Sequence, residues 1–333
     1  MLGSMNTVSM DKWKQAFAIL FYLVFFLMSG PVTLTTLIYL LFWTPYWWVT
    51  VGYTTWWLWD VQTCNTGGRK GCLVPWVRGW NLWKWYSDYF PMKLVKTAPL
   101  DPAKNHLICC HPHGILCFGA ACCFASEGCD FSTKFPGISP HLTSIEGNMW
   151  MPMFREFFLC FGAVSSSRTS LNHLLSKPGG VAPVLLIGGV PEMDNCRQDE
   201  VRLILRKRKG FVKMALRHGA CLVPSFSFGE AGLYRQPGPG GFTRNLQLKI
   251  RKWIGIAPVI FFGRGWIQDK FGILPQRKPV NVVVGEPINV DKIENPTNEA
   301  IDDLHAKYIT ELKNLYKKYN PKFGDSSVIL VIS

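Results

Sequence analysis

Two histidines separated by one proline and followed by a glycine, His111-Pro112-His113-Gly114, are the part of this sequence best suited to moving a proton. An imidazole titrates near neutrality, so it can take the proton of an alcohol as that oxygen attacks a thioester, then pass it to the leaving thiolate. The apolar run Leu107–Cys110 just before them reads as a strand. Both rings would then stand at the carboxyl end of a strand in an α/β layer, where such folds hold ligands. Pro112 restricts the backbone of His111, and Gly114 admits close approach of a substrate or of the next helix. The bland alternative is a pair of turn-capping rings; two histidines flanking a proline favour chemistry instead. An H-x-H pair can also present metal ligands, but the rest would have to converge from Glu146, His173 or His218, which lack ligand-like spacing. No metal is expected.

Those rings need elements to position them. Beyond about residue 85, short apolar runs alternate with amphipathic stretches, the pattern of an α/β domain. Candidate strands are Leu107–Cys110, Val184–Ile187, Cys221–Phe226 and Val280–Val284. A helix over Phe211–His218 is stopped by Gly219, and Ile301, Leu304, Tyr308, Leu312 and Leu315 mark one face of a C-terminal helix. The Gly- and Pro-rich stretch 229–241 reads as a long mobile loop.

The N-terminal part differs. From Ala16 to Trp59 no side chain is charged, a run long enough for two membrane crossings or a re-entrant hairpin. Gly30-Pro31 and Thr44-Pro45 interrupt it, and Gly30-Pro31 is the expected hairpin point. Tyr46-Trp47-Trp48 suits a membrane interface, and cations on both flanks favour leaving both on the cytosolic side. The run outlasts the apolar core of a cleaved signal peptide. The expected organisation is a cytosolic N-terminus over 1–15, a membrane hairpin over 16–59, and a cytosol-facing, membrane-associated domain over 60–333.

Lys and Arg number 36 against 22 Asp and Glu, which suits anionic headgroups or a polyphosphate ligand. No nucleic-acid-binding signature accompanies that charge, and no nucleic acid is expected as a partner. The 11 cysteines include the adjacent pairs Cys109/Cys110 and Cys122/Cys123 but no zinc-ribbon spacing, which fits a reducing compartment.

A series of blocks then adds a resemblance. They are Asp88-Tyr89-Phe90-Pro91, His111-Pro112-His113-Gly114, Lys134-Phe135-Pro136-Gly137-Ile138, Gly147-Asn148 with Met151-Pro152 and Arg155-Glu156, Ile187-Gly188-Gly189, Arg208-Lys209-Gly210-Phe211-Val212, Leu222-Val223-Pro224 with Ser227-Phe228-Gly229-Glu230, Gly263-Arg264-Gly265, and Val284-Gly285-Glu286-Pro287-Ile288. In this order, over nearly the whole chain, they resemble the diacylglycerol O-acyltransferase type 2 family, which includes monoacylglycerol and wax-alcohol enzymes. The resemblance implies a glycerolipid-acyltransferase-like α/β domain using acyl-CoA as co-substrate, with no cofactor, and diacylglycerol as acceptor. It also implies the endoplasmic reticulum membrane, with the catalytic domain facing the cytosol, and the lipid droplet surface.

The wider acyltransferase group carries H-x-x-x-x-D, and this chain departs from it: Cys117 stands four residues after His113 and Phe118, not Asp, stands five after. The expected catalytic residues are His113, His111 and, as substitute carboxylate, Glu192, whose preceding Pro191 departs from the family's small residues. Gly114, Gly188 and Gly189 are assigned to substrate contact. Arg168 stands where the wider group has a phosphate-contacting Arg, and Arg206, Lys207, Arg208 and Lys209 could hold the adenosine phosphates of CoA or a lipid surface. Arg168 and Glu192 could equally be solvated surface residues.

The expected mechanism is direct. His113 takes the acceptor's proton, the oxygen attacks the thioester, and backbone N–H groups near Gly114 stabilise the oxyanion. A covalent route would use Cys110 or Cys117, whose alternation with apolar residues reads as buried core. Leu94-Val95-Lys96-Thr97 and Gly147-Asn148 favour diacylglycerol over 2-monoacylglycerol or a long-chain alcohol. A hydrolase lacks its G-x-S-x-G elbow, and a non-catalytic lipid-binding scaffold gives no reason for the paired histidines.

Overall fold

The computed structural model describes residues 2–194, 200–236, 249, 261–265, 272–325 and 328–333. The strands are β1 (Lys93–Lys96), β2 (His106–His111), β3 (Ser139–Ser144), β4 (Val164–Ser165), β5 (Val181–Leu186), β6 (Glu200–Leu203), β7 (Cys221–Phe228), β8 (Asn281–Val284) and β9 (Ile329–Ile332). The chain forms two compact units. One comprises Met1–Tyr89, Asp101–Asn105 and Phe124–Val184; the other comprises Phe90–Leu100, His106–Cys123 and Leu185–Ser333.

In the first unit the helix Leu2–Trp43 runs unbroken through Gly30-Pro31, so the expected hairpin point is not there. Pro31 removes one N–H from the ladder, a loss apolar helices tolerate because keeping every other backbone bond matters most away from water. Gly30 answers a different need: a Cβ there would overlap the Met151 side chain, so the glycine serves close packing rather than a turn. The turn comes at Thr44-Pro45, where Thr44 Oγ1 accepts from the Tyr46 N–H at 3.1 Å. A second helix, Trp47–Asp60, then folds back, and its Thr50 hydroxyl donates to the Leu37 carbonyl at 2.9 Å. The two halves of the first helix differ. Ile19, Tyr22 and Leu23 are buried, and Tyr22 and Phe25 meet Tyr86 and Phe157 with ring centroids 5.4 and 5.0 Å apart. Past Pro31 the surface is apolar and open, with Val32 55% and Trp43 68% exposed. Met10–Trp43 is long and apolar enough to cross a membrane.

At the end of the second helix, Asp60 accepts from Thr63 Oγ1 at 2.7 Å and Arg69 Nη2 at 2.8 Å, and bonds the wholly buried Arg155. Arg155 also pairs with Glu156 at 2.9 Å, and Glu156 accepts from the Tyr53 hydroxyl at 3.1 Å. The Met151–Glu156 block is therefore the socket of the apolar helices. In the same unit β3 lies between β5 and β4, all parallel.

The second unit holds the histidines. Its strands run in the order β1, β8, β7, β2; β7 is parallel to β2 and antiparallel to β8, and β8 is parallel to β1. β2, β7 and β8 are buried throughout, which is why they read as continuous apolar runs. Helix Gly210–His218 ends at Gly219 in the left-handed region (φ 63°), as expected of a glycine stop. Helix Asn298–Phe323 buries Ile301, Tyr308, Leu312 and Leu315 but only half-buries Leu304. β6 and β9 form a separate parallel pair. The stretch expected to be a mobile loop is packed over its described part: Glu230–Gly232 is a 3-10 turn, with Glu230, Leu233 and Tyr234 buried, while 237–241 lie outside the described residues.

Candidate active site

β2 ends at His111, and the chain turns through Pro112–Cys117 into helix Phe118–Ala125. Gly114 takes φ 65° and Cys117 φ 53°, so the loop folds tightly enough to bring Cys117 Sγ to 3.4 Å from His113 Nδ1 and 3.8 Å from Nε2. The two rings differ in exposure. His111 is fully buried; its Nε2 meets the Tyr308 hydroxyl at 2.9 Å and its Nδ1 has no partner among the described residues. Burial drives its pKa down to about 3. A sealed, neutral ring is poorly placed to reach a substrate.

His113 is half-buried. Its Nδ1 lies 3.0 Å from the Gly114 carbonyl, which can only accept, so Nδ1 carries the proton and Nε2 the lone pair. Burial lowers its pKa below the ordinary histidine value, against the pull of that bond. The ring is thus neutral with its tautomer fixed by main chain, a task a carboxylate performs elsewhere.

Glu192 does come to His113, but not to its ring. Its Oε2 accepts the His113 main-chain N–H at 3.0 Å and its Oε1 accepts that of Ile204 at 2.8 Å. It is buried rather than solvated, and burial pushes its carboxyl above the usual range, opposed by those amides and the charge of Arg208. Pro191 causes no break: it sits in the first turn of the short helix Val190–Asp194, where a missing N–H costs nothing. A Cβ at Gly188 would overlap the Glu192 carboxyl, and Gly189 takes φ 61°, so both glycines are needed to seat that carboxylate.

A second buried carboxylate was not foreseen. Glu230 accepts the N–H of Phe118 with Oε1 and of Gly119 with Oε2, both at 2.8 Å. Burial raises its pKa to about 7, opposed by the two amides. Counted from His113, the Asp position of H-x-x-x-x-D is Phe118, and its amide is one of those Glu230 receives. A Cβ on Gly114 would lie 2.6 Å from Glu230 Cγ, so Gly114 admits a side chain of the protein itself. The one signal for Glu230 was its place in the block Ser227–Glu230. Tyr308 was read only as a helix face, although a buried phenol must find a partner.

Cys110 is core as expected, its thiol pushed up to about 12 by burial; Cys117 is not, being half-exposed beside the imidazole. Arg206, Lys207, Arg208 and Lys209 are exposed in the same unit as His113, with Lys209 ion-paired to Asp302. Arg168 belongs to the other unit, exposed at the start of helix Arg168–Leu175, which Ser167 caps. Among the described residues no three His, Cys, Asp or Glu side chains are grouped to hold a metal ion.

The family model described as diacylglycerol acyltransferase matches residues 39–333. The chain is 44% identical to diacylglycerol O-acyltransferase 2 of Danio rerio, over 95% of this chain and 87% of that one. It is 42% identical to its Homo sapiens counterpart (96% and 82%), and 42% identical to acyl-CoA wax alcohol acyltransferase 2 of Homo sapiens (87% and 87%). Among solved structures it aligns with the 1-acyl-sn-glycerophosphate (LPA) acyltransferase of Thermotoga maritima at TM-score 0.42 and 9% identity, over 93% of this chain and all of that one. With the family model covering most of its length and relatives this similar end to end, the chain belongs to the diacylglycerol acyltransferase family.

Proposed function

We propose that the protein transfers a fatty acyl group from acyl-CoA to the free hydroxyl of diacylglycerol, giving triacylglycerol and CoA. The observation that carries this reading is the half-buried, neutral His113, with Nδ1–H tied to the Gly114 carbonyl and the Nε2 lone pair left for a proton. The acceptor's O–H proton passes to Nε2 as its oxygen attacks the thioester carbonyl; the C–S bond breaks and the thiolate takes that proton. N–H groups near Gly114 serve the oxyanion. Glu192 and Glu230 hold the loop rather than exchange protons with substrate. Arg206–Lys209 contact the adenosine phosphates, Arg168 a phosphate oxygen, and no cofactor or metal takes part. The open apolar surface beyond Pro31 anchors the enzyme in the endoplasmic reticulum membrane, with the catalytic part facing the cytosol, and suits a lipid droplet surface.

His113→Ala should lower turnover by about 10²- to 10⁴-fold while membrane insertion is retained. Near-normal turnover would remove His113 as base. The Cys117 thiol beside the ring favours one rival, an acyl-cysteine intermediate. Cys117→Ala separates them, since direct transfer survives it and covalent transfer does not. The wax-alcohol relative makes acceptor choice a matter for product analysis, with diacylglycerol, 2-monoacylglycerol and a long-chain alcohol in competition.

A further inference from the structure

The last stretch of the chain reaches the histidine loop by two routes, both inside the second unit. β9 pairs in parallel with β6, and Ser333 prolongs the ladder. Its N–H donates to the Leu203 carbonyl at 2.8 Å, and its carbonyl accepts from the Leu205 and Arg206 amides, each at 2.9 Å. These bonds fix the backbone on both sides of Ile204. The Ile204 N–H in turn donates to Glu192 Oε1, whose partner oxygen Oε2 accepts from the His113 N–H. The buried carboxylate bridges the two amides, and this is the link by which a shift at one end would reach the other. The second route runs through Tyr308, whose hydroxyl is 2.9 Å from His111 Nε2 and 3.5 Å from the Cys109 carbonyl. Among the described residues no other hydrogen bond holds the His111 ring, its Nδ1 having no partner there.

Burial does not account for the terminal strand. Ile329 is 65% exposed and no residue of β9 is fully buried. What β9 contributes is an ordered set of hydrogen bonds, and those bonds end at the amide of the residue read here as the base.

We propose that helix Asn298–Phe323 and the strand β9 with Ser333 are positioning elements for acyl transfer, the strand setting the His113 main chain through Ile204 and Glu192, and Tyr308 of the helix setting the His111 ring. The inference rests on His113 as the base. Misplacing a base by about 1 Å costs on the order of 10²-fold in rate, so loss of either anchor should appear in kcat.

The test uses the full-length membrane protein, a variant lacking residues 329–333, and Tyr308→Phe. The deletion should lower kcat by about 10- to 100-fold with KM for diacylglycerol unchanged, while KM for acyl-CoA rises because Ile332 and Ser333 also hold Arg206. It should also speed hydrogen exchange in 203–206 and, beyond that pair of strands, in 111–119. Unchanged kcat, or faster exchange confined to 200–206, would overturn the terminal-strand route. Tyr308→Phe removes one oxygen, leaves the buried His111 Nε2 unpaired, and should lower kcat with the fold retained although the melting temperature falls; full activity would overturn the Tyr308 route, and this variant decides if the deletion misfolds. A wild-type protein that acylates no acceptor would defeat the acyl-transfer reading instead, whereas an active wild type with two equally active variants would defeat only this inference.

Discussion

The molecule buries carboxylates in two opposite ways. At Asp60, in the first unit, the neighbours are charged: Arg69 and Arg155 both bond it, and with Thr63 they outweigh burial and hold its pKa below the ordinary aspartate value. At Glu230, in the second unit, the neighbours are two main-chain amides, and burial wins, lifting the carboxyl to about 7. An ion pair suits a joint that must not move, because removing either partner strands a charge. Amide bonds to a lone carboxylate fix a backbone conformation instead, here that of the loop entering helix Phe118–Ala125.

The largest effect should come from Asp60→Asn. It leaves Arg155 buried with only Glu156 as counter-charge and should cost about 3–5 kcal/mol in thermal or denaturant unfolding. Stability within about 1 kcal/mol of wild type would mean that the joint is not ionic. The two carboxylates should also slope oppositely with pH. Asp60 contributes stability above its unfolded pKa of 3.8, which is lost as pH falls through its lower folded value. For Glu230 the unfolded chain releases its proton near 4.5 and the folded one near 7, so stability falls as pH rises between those values. Glu230→Gln should flatten that fall by on the order of 2–3 kcal/mol, leaving the same-signed part from Glu192. An unaltered pH–stability curve would show that Glu230 is ionised in the fold. The smallest effect belongs to the exposed pair: Lys209→Ala should change stability by less than about 1 kcal/mol. A larger loss there would make surface charge more than a solvated face.

What the sequence made legible follows from what each residue touches. β2, β7 and β8 were readable because burial on both sides leaves a run of apolar letters; β1, Lys-Leu-Val-Lys, and β3, with Pro140 and His141 inside it, carry no such run. The apolar N-terminal stretch was visible, but not its turn, since Gly30 faces Met151 and only the packed structure shows why a side chain is excluded. The motif His111-Pro112-His113-Gly114 draws the eye in the sequence, whereas the Glu192 carboxylate meets the His113 main-chain N–H rather than the ring, a partner that has no letter of its own. Glu230 stood at the head of a glycine- and proline-rich stretch, where a carboxylate is ordinarily solvated.

The bonds that shape the histidine loop join residues 79, 112 and 197 positions apart: His113 to Glu192, Phe118 to Glu230, and His111 to Tyr308. Parts so distant leave the ribosome at very different times. A growing chain can therefore hold its apolar helices, and even His113, long before the loop has its last support. Catalytic competence should arrive abruptly, when the helix Asn298–Phe323 has emerged and docked.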